Sequence, residues 1–264
     1  MKIAIIGSGN LGQSIAKGLI TNNAITSLYL TKRNLDSIQD FEGYNDVVLT
    51  SDNVLAVKNS DILIFAVQPA HFENILKDVT PFLNENHVII SVITGYAISK
   101  IENIVGANKY IVRAMPNTAI SVGQSMTCIA TNNKGKERIK LAKAIFNRLG
   151  TTLEIPEEKI QAATVICASG IAFWMRLIRA TSQGAIQLGF ESDEAQELAM
   201  QTCFGAASLL IESGNHPEEE IDRVTTPRGC TIEGLNEMEH QGLSASLIKG
   251  IVTSFEKINQ IKKH

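Results

Sequence analysis

The sequence predicts an α/β fold, with an N-terminal doubly wound, mostly parallel sheet and a C-terminal all-helical region. Three observations carry this reading. Short apolar, β-branched runs alternate with segments of helical periodicity up to Pro156. A glycine-rich turn follows the first of those runs directly. From Glu157 onward the strand pattern stops and only helical periodicity remains. The expected domains are residues 1–156 and 157–264.

The first strand is Lys2 to Ile6, followed by Gly7, Gly9 and Gly12 in the spacing GxGxxG and a helix from Leu11 to Ile20. In that context the glycines have distinct steric tasks. Gly7 permits the tight turn, Gly9 leaves room for a pyrophosphate at the backbone, and Gly12 lets helix and strand approach. The helix N-terminus offers free N–H groups and a positive dipole end to phosphates. The motif therefore reads as a dinucleotide site in a Rossmann-type domain.

Ser27 to Thr31 is the second strand, ending in Thr31-Lys32-Arg33. An acid at this position would accept from ribose hydroxyls, whereas two cations and a hydroxyl suit a 2′-phosphate, so NADP(H) is favoured over NAD(H). A short strand at Val47 to Thr50 and a helix at Asp52 to Val57 follow, with Ser51 as the expected N-cap. Asp61 to Val67 is a further buried strand, and Ala66, Val67, Gln68 and Pro69 at its end should face the cofactor. Helix at Phe72 to Leu83, strand at His87 to Val92, a turn at Thr94-Gly95, helix at Ala97 to Val105 and strand at Tyr110 to Ala114 continue the alternation. A turn at Pro116-Asn117 leads to strand, helix and strand at Met126 to Ala130, Lys136 to Leu149 and Thr151 to Ile155.

The second region reads as helices at Lys159 to Val165, Ile171 to Leu188, Asp193 to Ser213, Glu218 to Arg223, Thr231 to Gln241 and Leu243 to Ile261. Ser192 resembles a capped start, and Gly214 sits where a helix C-terminus needs it. Ile171 to Leu188 is apolar on most faces and must be buried, either against the sheet domain or, as favoured here, in a homodimer. Thr226, Gly229, Cys230 and Thr231 surround a Pro-Arg-Gly turn that opens a helix. Its free amides and hydroxyls form either a nest for a carboxylate or a simple helix cap.

The totals bound the partners. The chain has 264 residues, 44 % hydrophobic and 19 % charged, which is enough apolar content for a sizeable core. A net charge of −3 gives no electrostatic footprint for nucleic acid. Four widely spaced cysteines without a CxxC pair argue against a zinc site and suit a reducing compartment. The histidines His71, His87, His216, His240 and His264 are scattered, and no metal is expected. The first strand starts at the N-terminus, leaving no room for a signal segment, and no apolar run approaches a membrane span. A cytoplasmic protein is expected, with no membrane partner.

Beyond the glycine loop, several stretches are more specific: Arg113-x-Met115-Pro116-Asn117-Thr118 with Val122-Gly123, Glu212-Ser213-Gly214-x-His216-Pro217, and Val224-Thr225-x-Pro227-x-Gly229-x-Thr231-Ile232-x-Gly234-Leu235. Together they resemble the pyrroline-5-carboxylate reductase family over nearly the whole chain. The resemblance implies NADPH-dependent reduction of 1-pyrroline-5-carboxylate to L-proline and a helical dimerisation domain. It also implies a substrate held between the nicotinamide and the partner's helices, in a homodimer or higher homo-oligomer. Residue by residue, it implies that Gly7, Gly9, Asn10 and Leu11 hold the pyrophosphate and that Thr31, Lys32 and Arg33 take the 2′-phosphate. Asn53, Ala66 to Pro69 and Thr94 line the adenosine and nicotinamide side. Thr226, Gly229, Cys230 and Thr231 hold the substrate, with Thr231 hydrogen-bonding the ring nitrogen as the catalytic contact. The chain departs from the family pattern at Ala168, Ile171, Arg179, Gln183 and Arg228. Those departures leave open a different cyclic imine or oxo acid, or a non-catalytic NADP(H)-binding dimer.

Overall fold

The computed structural model describes residues 1–23 and 25–261; His264 and the last residues of the expected second domain lie outside the described residues. Two compact units divide between Ala168 and Ser169, later than the boundary expected after Pro156. The reason is that residues 157–168 belong physically to the sheet unit. Ile160 is fully buried in its core, and Glu157 pairs with Arg113.

The first unit runs β1 (Lys2–Ile6), α1 (Asn10–Thr21), β2 (Ser27–Thr31), β3 (Val47–Thr50), α2 (Asn53–Lys58), β4 (Ile62–Phe65), α3 (Pro69–Val79), β5 (Val88–Ser91), α4 (Ile98–Val105) and β6 (Tyr110–Met115). It continues with β7 (Ser125–Thr131), α5 (Ile139–Phe146), β8 (Gly150–Glu154) and α6 (Ile160–Ala163), which passes into a π-helical segment, Thr164–Ser169. The strands form one sheet in the order β3-β2-β1-β4-β5-β6-β7-β8. Every neighbouring pair is parallel except β6 and β7, which are joined through Pro116-Asn117 and a 3₁₀ helix at Thr118–Val122.

Alternation along β1 explains why helices cover both faces. Ile3 and Ile5 enter one core with Ile15 and Leu19 of α1 and Ile145 and Phe146 of α5. Ala4 and Ile6 enter the other with Val57 of α2, Phe72 and Leu76 of α3 and Ile101 of α4. Each fully buried Ile, Leu or Phe contributes roughly 2 kcal/mol of hydrophobic stabilisation.

Several local expectations need correction. The cap of α2 is Asp52, not Ser51: its Oδ1 accepts from Val54 N at 2.8 Å and Leu55 N at 3.0 Å, because a carboxylate there reaches two orphan amides. The third helix starts at Pro69, whose fixed φ suits the first helical position, and ends at Val79 before a 3₁₀ turn. The segment from Lys136 is likewise a 3₁₀ turn before α5. A 3₁₀ helix at Leu35–Phe41, capped by Asn34 Oδ1 on Asp36 N, buries Ile38 and Phe41 below β2.

The second unit contains α7 (Gly170–Gln187), α8 (Ser192–Ser213), α9 (Pro217–Val224), α10 (Cys230–His240) and α11 (Leu243–Ile261). The start of α8 is held by Glu194, whose carboxylate accepts from Glu191 N, rather than by Ser192. Gly214, at φ 65°, closes α8 as expected. Trp174 and Met175 of α7 and Phe204, Leu209 and Ile211 of α8 are exposed, so the described residues leave these apolar side chains uncovered. One continuous helical stretch, Glu157–Gln187, is long and apolar enough to cross a membrane by length and composition. This corrects the expectation that no segment reaches that length.

Candidate dinucleotide site and substrate loop

The glycine turn has the three separate roles its spacing predicts. Gly7 sits at φ 97°, and a Cβ there would strike Val67, 2.9 Å from its backbone nitrogen. A Cβ on Gly12 would press on the carbonyl oxygen of Gly7, so the first turn of α1 packs directly on the loop. Gly9 has nothing within 4 Å of the Cβ position; the space in front of it is open. The loop is pinned to the end of β2. Gly7 N donates to Thr31 O and Oγ1, both at 3.3 Å, and Ser8 N donates to Thr31 O at 2.9 Å. No side chain caps α1, which leaves the first-turn amides of Asn10 and Leu11 without a side-chain acceptor.

In front of this loop, at the carboxyl ends of β1, β2 and β4, lies a cavity of about 450 Å³. That is the crevice where open α/β sheets take their ligands. Its lining unites Gly7, Gly9, Thr31, Lys32, Arg33, Asn53, Ala66, Val67 and Gln68, nine positions singled out from the sequence. Asn10, Leu11, Pro69 and Thr94 do not line it. Asn10 and Leu11 open α1 instead, Pro69 opens α3, and Thr94 is exposed beyond the end of β5. The cavity also takes in Ser8, Ser51, His71, Asn74 and Ile75, which sequence reasoning did not place at the site. His71 and Asn74 stand three apart on α3 and therefore share a face. Their position follows once the helix is started at Pro69, a signal the sequence did contain.

Neither Lys32 nor Arg33 forms an ion pair among the described residues. Thr31 is 2 % exposed, and its Oγ1 accepts from Gly7 N, which leaves the hydroxyl proton available. Open space at Gly9, a helix start without a side-chain cap and two unpaired cations fit a phosphorylated dinucleotide. No group of three or more His, Cys, Asp and Glu side chains among the described residues could hold a metal ion.

The second candidate element lies in the helical unit. Gly229 precedes α10 and is tightly packed; a Cβ would collide with Thr226 Oγ1. Gly229 N donates to Thr226 O at 2.9 Å, closing the turn. No side chain caps α10, so the plain capping alternative for Thr226 and Thr231 does not describe this turn. Thr226, Cys230 and Thr231 are exposed beside the first-turn amides of α10. Arg228 adopts a left-handed conformation at φ 61°, unusual for a residue with a side chain.

A doubly wound sheet, a glycine loop at its carboxyl edge, a basic strand end and a following helical region define a nucleotide-dependent oxidoreductase. Residues 2–95 match the family profile "NADP oxidoreductase coenzyme F420-dependent", and residues 157–261 match "Pyrroline-5-carboxylate reductase dimerisation". The chain is 47 % identical to pyrroline-5-carboxylate reductase 1 of Dictyostelium discoideum over 97 % of its own length, spanning 49 % of that protein. It is 31 % identical to pyrroline-5-carboxylate reductase of Methanosarcina acetivorans over 99 % of this chain and 98 % of that one. Among solved structures, the Coxiella burnetii pyrroline-5-carboxylate reductase superposes with a TM-score of 0.91 at 29 % identity, covering 98 % of this chain and 97 % of that one. The Plasmodium falciparum pyrroline carboxylate reductase with NADP bound gives 0.85 at 25 % identity, covering 99 % and 98 %. The chain belongs to the pyrroline-5-carboxylate reductase family.

Proposed function

We propose that this protein reduces 1-pyrroline-5-carboxylate to L-proline with NADPH. The observation that carries the reading is the cavity at the carboxyl edge of the sheet, lined by the open backbone at Gly9 and the adjacent cations Lys32 and Arg33, in a chain of this family. NADPH, when bound, supplies the hydride that is added to the C=N carbon. Gly7, Gly9 and the amides of Asn10 and Leu11 hold its pyrophosphate, and Lys32, Arg33 and the Thr31 hydroxyl hold its 2′-phosphate. Asn53, Ala66, Val67, Gln68, Pro69 and Thr94 line the remainder of the nucleotide. Thr226, Gly229, Cys230 and Thr231 bind the substrate carboxylate and ring, with the Thr231 hydroxyl at the ring nitrogen. A protonated imine is already electrophilic, so this chain's task is orientation and charge complement rather than strong acid catalysis.

The exposed apolar faces of α7 and α8 support a homodimer, or a higher homo-oligomer, through the C-terminal helices. The same surface accounts for the apolar character of Glu157–Gln187 without a membrane. The net charge of −3 supports a role without nucleic acid, and four free cysteines suit a cytoplasmic location. The test is oxidation of NADPH by purified protein supplied with pyrroline-5-carboxylate. Turnover with formation of proline is expected. A folded protein that binds NADPH but consumes none with this substrate overturns the proposal.

A further inference from the structure

Two thiols outside the coenzyme cavity face one another. Cys128 lies in β7 and Cys167 in the π-helical segment Thr164–Ser169, and their sulfur atoms are 4.0 Å apart. Both are free. Cys128 is 2 % exposed, whereas Cys167 is partly accessible. The contact polarises the pair. Either sulfur can donate across it; the contact holds the Cys167 thiol below its ordinary range and, with burial, pushes Cys128 up. The more accessible sulfur is thus the better nucleophile.

Their setting gives the contact leverage. Cys128 stands in register with Met115, the last residue of β6, so the pair lies at the carboxyl edge of the sheet. Beside it, Asn117 Nδ2 donates to the Cys167 carbonyl at 3.0 Å, and Asn117 N donates to Ser125 Oγ at 3.1 Å. π-Helical turns are rare and recur at functional positions. A disulfide requires sulfurs about 2 Å apart. Closing this pair therefore demands that the two sulfurs approach by about 2 Å.

We propose that Cys128 and Cys167 form a reversible disulfide that acts as a thiol switch on the segment leading into α7. A low-molecular-weight disulfide is the oxidant. The Cys167 thiolate attacks one of its sulfurs, the small S–S bond breaks, and a thiolate leaves. Cys128 gives its proton to that thiolate and attacks the Cys167 sulfur, and the mixed disulfide breaks to release a second thiol. Two protein thiols lose two electrons and two protons, and the small disulfide becomes two thiols. Closure draws the Cys167 sulfur toward β7, beside the bond that Asn117 makes to the Cys167 carbonyl.

The experiment treats the full chain with oxidised glutathione, alkylates the remaining thiols and maps peptides, while following the emission of the single tryptophan, Trp174, in the next helix. A Cys128–Cys167 cross-link is expected, with an emission shift that dithiothreitol reverses. In Cys128→Ala, Cys167 should stop as the mixed disulfide; in Cys167→Ser, Cys128 should stay unmodified and the emission unchanged. Glutathione on Cys203 or Cys230 without the cross-link overturns the proposal, and so does a cross-link that leaves Trp174 emission where it was. Neither readout depends on reductase activity.

Discussion

Glu157 Oε1 accepts at once from Arg113 Nη1 at 3.0 Å and from the amide of Ile98 at 2.7 Å. One carboxylate oxygen therefore neutralises a guanidinium that is 4 % exposed and caps the start of α4, where the helix dipole favours a negative charge. It also ties the first residues after β8 to the middle of the sheet. Removing it with Glu157→Ala leaves a buried, unpaired cation and should cost about 3 kcal/mol or more. Glu157→Gln keeps an acceptor oxygen and should cost less. Denaturant midpoints of the two variants against wild type check the order.

The glycines separate folding from binding. Gly7→Ala combines a positive φ with a collision against the Val67 backbone and should lower both stability and NADPH affinity. Gly9→Ala meets open space, so its melting temperature should stay within a degree or two while NADPH affinity falls by about tenfold, as a methyl intrudes where the pyrophosphate approaches. Parallel thermal melts and fluorescence titrations distinguish the two.

Lys32→Ala and Arg33→Ala should each weaken NADPH binding by about tenfold or more and leave NADH nearly unaffected, because only the former carries the phosphate these cations meet. The wild-type preference should shrink as salt rises. Equal losses for both coenzymes would show that the basic strand end does not read the 2′-phosphate.

Thr231→Ala should reduce kcat by about tenfold, the worth of one hydrogen bond to a charged partner, with NADPH affinity unchanged. Thr231→Ser, which keeps the hydroxyl, should recover most of the rate. Steady-state kinetics with a separate coenzyme titration checks the division between the two steps.

His87 predicts a pH dependence of stability. It is 2 % exposed; its Nδ1 accepts from Asn84 N at 2.9 Å and its Nε2 lies 3.0 Å from Ser60 O, an arrangement that fits the neutral ring. Burial holds its pKa below the ordinary histidine value. The unfolded chain then binds the proton more readily, so this contribution is complete above about pH 6.5 and is lost as pH falls from there through the lower folded value. Urea midpoints from pH 8 to pH 5 should decline more steeply in wild type than in His87→Gln.

What the sequence disclosed follows from the range of the forces involved. Strand cores such as Ile3 to Ile6 and the three glycines were legible because period and sterics are local. Lys32 and Arg33 were legible because they adjoin a strand end in a known kind of crevice. Asp52 displaced Ser51 as a cap through a choice between adjacent oxygens that no periodicity encodes. The Arg113–Glu157 pair joins positions 44 residues apart and shifted the boundary between units, and only the folded chain reveals it. The π turn at Thr164–Ser169 was invisible, since its residues read equally well as ordinary helix.

The reversal between β6 and β7 decides where the chain leaves the sheet. Because β7 and β8 run opposite to the other six strands, β8 starts beyond the carboxyl end of β6 and finishes at Glu154, level with Ile129 and, through it, with Ala114. The polypeptide then passes Glu157, which bonds the start of α4, Ile160, which enters the core, and Cys167, whose carbonyl accepts from Asn117 just beyond β6. From the finish of β8 to the last residues of the first unit, the chain therefore keeps to the level of the carboxyl ends of the parallel strands.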